Sequence, residues 1–90
     1  MDDIQNIREA IRSNHLQKAM AIIDSELQKN PNSAMLYYLR GQIHMKHSEW
    51  SKAMTDFLQA EDIDPKSPAR QCREMLCDIM NFYNKDMYNQ

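Results

Sequence analysis

His44 and His47 stand three residues apart, a spacing that puts two imidazoles on one helix face, where a third ligand such as His15 would complete a divalent-metal site. No cysteine or carboxylate reinforces the pair at a matching spacing. The expectation is therefore that His44 packs, that His47 lies exposed in a turn, and that the chain holds neither a metal nor another cofactor. Cys72 and Cys77 are five residues apart within one predicted helix. At about 100° of turn per residue they fall on different faces and cannot bridge, so they are expected to be packing thiols in a reducing, cytoplasmic setting. Phosphate or acyl chemistry needs a glycine-rich loop or a strained strand-to-helix turn presenting a nucleophile. The only glycine is Gly41 and the carboxylates are scattered along the chain, so no enzyme is expected.

Eight methionines are many for 90 residues. Thioethers suit adaptable binding surfaces and also fill irregular cores. Met20 and Met54, each following an alanine, are expected in the core, while Met35 and Met45 are expected beside the packing face of a helix. Apolar residues at 42% and charged residues at 27% describe a chain that folds as one domain. The net charge of -2, with both signs interleaved, builds no positive field for a phosphate backbone, so nucleic acid is not an expected partner. Apolar runs are short and Met1 is followed by Asp2 and Asp3, which predicts neither a signal peptide nor a membrane span.

The elements that must position these residues emerge from an internal repeat. Lys18, Ala19 and Met20 recur as Lys52, Ala53 and Met54, Pro31 recurs as Pro65, Ser33 as Ser67 and Leu16 as Trp50, all at an offset of 34 residues. Helix breakers occur only at Gly41, Pro31, Pro65 and Pro68, which predicts helices over 2–12, 15–29, 34–46, 49–63 and 68–83 joined by short turns, and hence antiparallel neighbours. Asn14 and Ser48 precede the second helix of each hairpin and are expected to cap it, with Gln17 completing a capping box at Asn14. Ser67 before Pro68 is expected as N-cap and first helical residue.

Residues 34–66 resemble one complete tetratricopeptide repeat. Tyr37 stands at the tryptophan position, Gly41 at the small position, Ala53, Phe57 and Ala60 at the small-large-small packing positions, and Pro65 at the terminal proline. Trp50 is expected to fill space beside them. The pattern is broken at Arg40, where the family has leucine, and at His44, where it has an aromatic residue. The preceding stretch is a more degenerate copy that keeps Ala19, Ile23 and Pro31. The resemblance implies an all-α fold, an αα superhelix of two antiparallel helical hairpins plus a fifth capping helix. Its single domain spans 1–83 (repeat one 1–33, repeat two 34–66, capping helix 67–83), followed by a polar, frayed tail at 84–90. Gln71, Glu74 and Asp78 are expected to form the polar outer face of a closing helix, and Cys72, Met75, Leu76, Ile79 and Met80 the stripe that covers repeat two.

In this family the first helices of the hairpins line a concave groove that holds peptide ligands. Family register places Tyr38, Gln42, Met45 and Lys46 in it, with Cys72, Leu76, Ile79 and Met80 from the closing helix and Ile4 or Arg8 and Arg12 from the first. The family's two-carboxylate clamp would fall on Ile4, Arg8, Leu39, Ala69 and Arg73, of which only Arg73 suits, so a chaperone-tail adaptor is not expected. What the resemblance implies is a non-catalytic protein–protein interaction module binding a peptide or helix. The alternatives are a homo-oligomerising unit, a weak homodimer using Phe82, Tyr83 and Tyr88, or an accessory subunit of a larger complex.

Overall fold

The computed structural model describes residues 3–83. Five helices and no strand occur among them: α1 (Asp3–Arg12), α2 (Leu16–Lys29), α3 (Ala34–Lys46), α4 (Trp50–Ile63) and α5 (Ala69–Tyr83). The expected tail at 84–90, with Tyr88, lies outside the described residues, as does the side chain of Tyr83. No described helix is long and apolar enough to cross a membrane.

The turns after α1 and α3 are built alike, and not as the sequence suggested. Asn14 and Ser48 carry positive φ, 63° and 57°. Asn14 N–H donates to Ile11 O at 3.0 Å and His15 N–H to Ala10 O at 2.7 Å. Ser48 N–H donates to Met45 O at 3.0 Å and Glu49 N–H to His44 O at 2.9 Å. Both sets are the paired bonds of a Schellman motif, which closes a helix with a left-handed residue. Asn14 and Ser48 therefore terminate the preceding helix rather than cap the next. The N-cap positions pass to His15 and Glu49, neither of which makes a side-chain cap bond, so the Asn14–Gln17 capping box does not form. Serine fits this conformation poorly, because an L-residue pays about 1–2 kcal/mol there, against a chain-entropy cost for glycine of about 0.5–1 kcal/mol. Ser48→Gly is expected to stabilise the fold by about 0.5–1 kcal/mol, visible as a higher Tm in a thermal melt followed by circular dichroism. The expected Ser67 cap does form, its Oγ accepting from Ala69 N–H at 3.1 Å, and Ser33, for which no cap was expected, caps α3 by accepting from Leu36 N–H at 3.3 Å.

The 34-residue offset is thus carried by the left-handed residues, by the N-cap positions, and by the bounds of α2 (16–29) and α4 (50–63). Layers form in chain order. Ile7, Ala10, Ala19, Ile23, Leu27, Leu36, Leu39 and Ile43 join α1, α2 and α3 in one buried cluster, with Met20 half-buried against it. Ala53, Phe57, Ala60, Ala69 and Leu76 join α4 to α5 in a second, with Met54 and Trp50 against it. Tyr37 and Tyr38 of α3 touch both clusters, so α3 is the shared wall. Within the α3–α4 pair, His44 late in α3 meets Glu49 just before α4, and Tyr38 early in α3 meets Phe57 further along α4, an antiparallel arrangement. Gly41 lets the Phe57 ring lie against α3, since a Cβ there would stand 2.5 Å from Phe57 Cε1. Ala19, Ala53 and Ala60 are fully buried, Trp50 and Tyr37 half-buried, and Pro31 and Pro65 exposed at the ends of α2 and α4.

A polar tie holds the second to fourth helices together. Arg40 donates through Nε and Nη2 to Asp56 Oδ2 and Oδ1 at 3.0 and 2.9 Å, and through Nη1 to Asp24 Oδ1 at 3.2 Å. Its guanidinium lies 5.4 Å from the centre of the Tyr37 ring. The hydrogen bonds to Asp56, acting against partial burial, raise the Arg40 pKa. His44 extends the chain, with Nε2 3.4 Å from Asp56 Oδ2 and Nδ1 3.0 Å from Glu49 Oε1. The bond from His44, with help from Lys52, holds the Glu49 carboxyl below its ordinary range. Arg40 and His44 are the two positions where the sequence broke the repeat pattern, and they belong to one network. On the far side, Arg73 of α5 grips Glu61 of α4 at 2.6 and 3.2 Å, which lowers the Glu61 pKa.

Candidate functional site

The first, third and fifth helices meet on one side of the molecule, at Tyr38. Arg8 of α1 reaches across to α3, where its Nη2 donates to Met35 Sδ at 3.4 Å. The Tyr38 hydroxyl accepts from Gln42 Nε2 at 2.9 Å, and Tyr38 packs on the same core as Cys72 of α5. Burial, reinforced by Cys72, raises the Tyr38 pKa, while the positive charge of Arg8 opposes the shift. Burial likewise pushes the Cys72 thiol up, opposed by Tyr38. At neutral pH both groups therefore keep their protons, and this thiol is a weak nucleophile. The face can donate and accept hydrogen bonds and offer thioether surface, since Met35 and Met45 flank Tyr38 half-buried.

Helix geometry explains why these residues converge. On α3, Met45 lies two turns beyond Tyr38 on nearly the same line and Gln42 lies one turn beyond it, while Leu36, Leu39 and Ile43 point into the first core. On α1, Ile7 and Ala10 are buried and Ile4 and Ile11 pack against that core, while Arg8 is exposed and reaches α3. Arg12 is exposed and paired with Glu9 at 3.1 Å. Lys46 is exposed at the end of α3, and no carboxylate partners it among the described residues.

Two expectations on α5 are corrected. Leu76 is fully buried in the second core and presents nothing to a groove. Lying four residues beyond Cys72, one full turn and about 40° further round the helix, it packs in the core shared with α4. Met80 packs on the same core and borders a surface depression of about 360 Å³ with Ser48, Glu49, Trp50, Ser51 and Lys52, beside the start of α4 rather than on the shared face. Ile79 is half-buried, seven residues after Cys72 and on its line. Gln71, Glu74 and Asp78 are exposed, as a polar outer face requires, and Met75, expected in the stripe covering repeat two, is instead exposed near them. Phe82 is 74% exposed.

Of the five clamp positions, Arg8 alone keeps a cation clear of any carboxylate among the described residues. Leu39 and Ala69 are buried, Ile4 packs on the core, and Arg73 is occupied by Glu61. Sequence reasoning missed a carboxylate beside the histidine pair, because Glu49 lies in the turn: its Oε1 is 3.0 Å from His44 Nδ1 and 3.6 Å from His47 Nδ1. Even so, no group of three or more His, Cys, Asp or Glu side chains among the described residues is arranged to hold a metal ion. The Arg40–Asp56 pair was also missed. Its signal was present, since Asp56 follows Ala53 by three residues and precedes Ala60 by four, on the stripe that had to be buried.

No family model and no curated protein matches the chain. Among solved structures, the solution NMR structure of Bacteroides fragilis protein BF1650 is 41% identical, covering 100% of this chain and 92% of that one with a TM-score of 0.88. The chain belongs to the family of BF1650. The likeness to BF1650 runs the length of the chain, so the shared face described above lies wholly within it.

Proposed function

We propose that this chain is a non-catalytic protein-binding module of the tetratricopeptide type, a short αα superhelix whose inner face, formed by α1, α3 and α5, takes a peptide or helix of a partner protein. The observation that carries the reading is the meeting around Tyr38 of side chains from all three of those helices: Arg8 of α1 bonded to Met35, Gln42 of α3 bonded to Tyr38, and Cys72 of α5 packed on the same core as Tyr38. Polar groups that can donate and accept, set among half-buried thioethers, suit a segment with both apolar and polar contacts. The 34-residue recurrence of turns, caps and helix bounds supports the repeat assignment. A non-catalytic role accords with the Cys72 thiol, which burial keeps protonated. Free Cys72 and Cys77 suit a reducing compartment such as the cytoplasm.

Site-specific photocrosslinking in the native cell tests this reading. A benzophenone amino acid at Gln42 is expected to trap a partner protein, whereas the same group at Leu58, exposed on α4, is expected to trap none. Crosslinks from Leu58 alone would put the binding surface on the opposite side.

A further inference from the structure

The inner face has a charge asymmetry that specifies its occupant. α3 contains no aspartate or glutamate. On α1, Glu9 is taken by Arg12 and Asp3 stands about 140° round the helix from Arg8; on α5, Glu74 is taken by Arg70 and Asp78 lies with it on the outer face, so no free acid among the described residues of these helices shares the Arg8 side. Two cations are left over. Arg8 donates only to the thioether of Met35, a weak acceptor, and Lys46 has no carboxylate partner among the described residues. Elsewhere the described arginines are all committed: Arg12 to Glu9, Arg40 to Asp24 and Asp56, Arg70 to Glu74 and Arg73 to Glu61. The one arginine without an acidic partner is thus the one that reaches over the face where α1, α3 and α5 meet.

Resting on the reading above, we infer that the inner face binds a segment carrying an internal aspartate or glutamate, whose side-chain carboxylate is held by Arg8 beside the Tyr38–Gln42 pair, with apolar neighbours against Met35 and Met45. A carboxylate would replace the thioether as acceptor and give the guanidinium a charge-assisted, bidentate bond. The second Nε2 hydrogen of Gln42 supplies a neutral donor next to it, and Lys46 extends the positive field along α3. The occupant is a protein segment acidic in mid-sequence. A chain terminus is not required, because the groups gathered here come from one point on the face rather than from a clamp spread over several turns.

The test selects ligands from a random library of 12-residue peptides displayed internally, with no free C-terminus, and repeats the selection with Arg8→Glu. Arg8 is exposed, so the variant should fold, and its far-ultraviolet circular dichroism and Tm check that it does. Selected sequences are expected to carry an aspartate or glutamate flanked by apolar residues. As synthetic C-amidated peptides they should bind at least about tenfold more weakly to Arg8→Glu, as loss of a charge-assisted pair implies. Changing the peptide's acid to lysine should restore binding to that variant. Enriched peptides that shift the NMR signals of Tyr38 and Gln42 but lack an acid, or bind Arg8→Glu equally well, overturn the inference and leave the groove reading standing. No enrichment, or shifts confined to α2 and α4, overturns both.

Discussion

Arg40→Ala is expected to destabilise the fold by about 3 kcal/mol, the lower part of the range for breaking a buried ion pair. The lower part applies because the Arg40 side chain is 28% exposed, whereas that of Asp56 is 5% exposed. Removing the guanidinium leaves a carboxylate with little access to water and only His44 Nε2, at 3.4 Å, to answer it. Asp24, 55% exposed, can turn to solvent and loses little. In a domain of this size each kcal/mol moves Tm by about 4–8 °C, so a fall of roughly 10 °C or more should appear in a thermal melt. Arg40→Lys should recover only part of the loss, because an ammonium cannot make the planar two-bond contact with Asp56. The decisive measurement is a double-mutant cycle in urea. Arg40→Leu with Asp56→Ala should cost less than the two single changes added together, by about 1–3 kcal/mol, since the apolar pair leaves no buried charge behind. Strict additivity would mean that the two side chains are not coupled.

The same pair marks the boundary of what the residues reveal unaided. Helix bounds were legible to within a residue or so, because Pro31, Pro65, Ser33 and Ser67 punctuate the chain at a fixed period and nothing between them disfavours helix. The turns were not. Asparagine and serine serve both as N-caps and as left-handed helix ends, so Asn14 and Ser48 satisfied the wrong rule, and only the backbone decides between the two. Leu76 and Met80 were placed in the groove by register, but the rotation of α5 is set by what it must bury. That is the end of the second core around Phe57, and it draws Leu76 inward and Met80 towards Trp50. Tyr38 and Gln42 lie one turn apart on α3 and bond to each other, yet the shared packing of Tyr38 and Cys72 joins α3 to α5, whose relative depth no local pattern encodes. Arg40 looked like an exception to a leucine position because its justification comes from Asp24 and Asp56, each sixteen residues away on a different helix.

Phe57→Ala is expected to cost about 3–5 kcal/mol, as for other fully buried aromatic side chains. Phe57 has no exposed surface, its ring centroid lies 6.3 Å from that of Tyr38, and it is the largest of the fully buried side chains. Its place depends on Gly41, since a Cβ there would meet three ring atoms at 2.5, 2.7 and 3.0 Å, and a ring buried on all sides cannot swing clear. Gly41→Ala in the native sequence sets overpacking of about 1–3 kcal/mol against a gain in helix propensity of about 1 kcal/mol, so a net loss is expected. In the Phe57→Ala background the ring is gone and the same methyl group enters the vacated space. There Gly41→Ala should change sign and stabilise by about 1 kcal/mol, the propensity gain with the clash removed. Urea denaturation of the four proteins measures this directly. A sign reversal assigns Gly41 to the seat of the Phe57 ring, whereas an equal loss in both backgrounds would show that the glycine answers to the backbone and not to its neighbour.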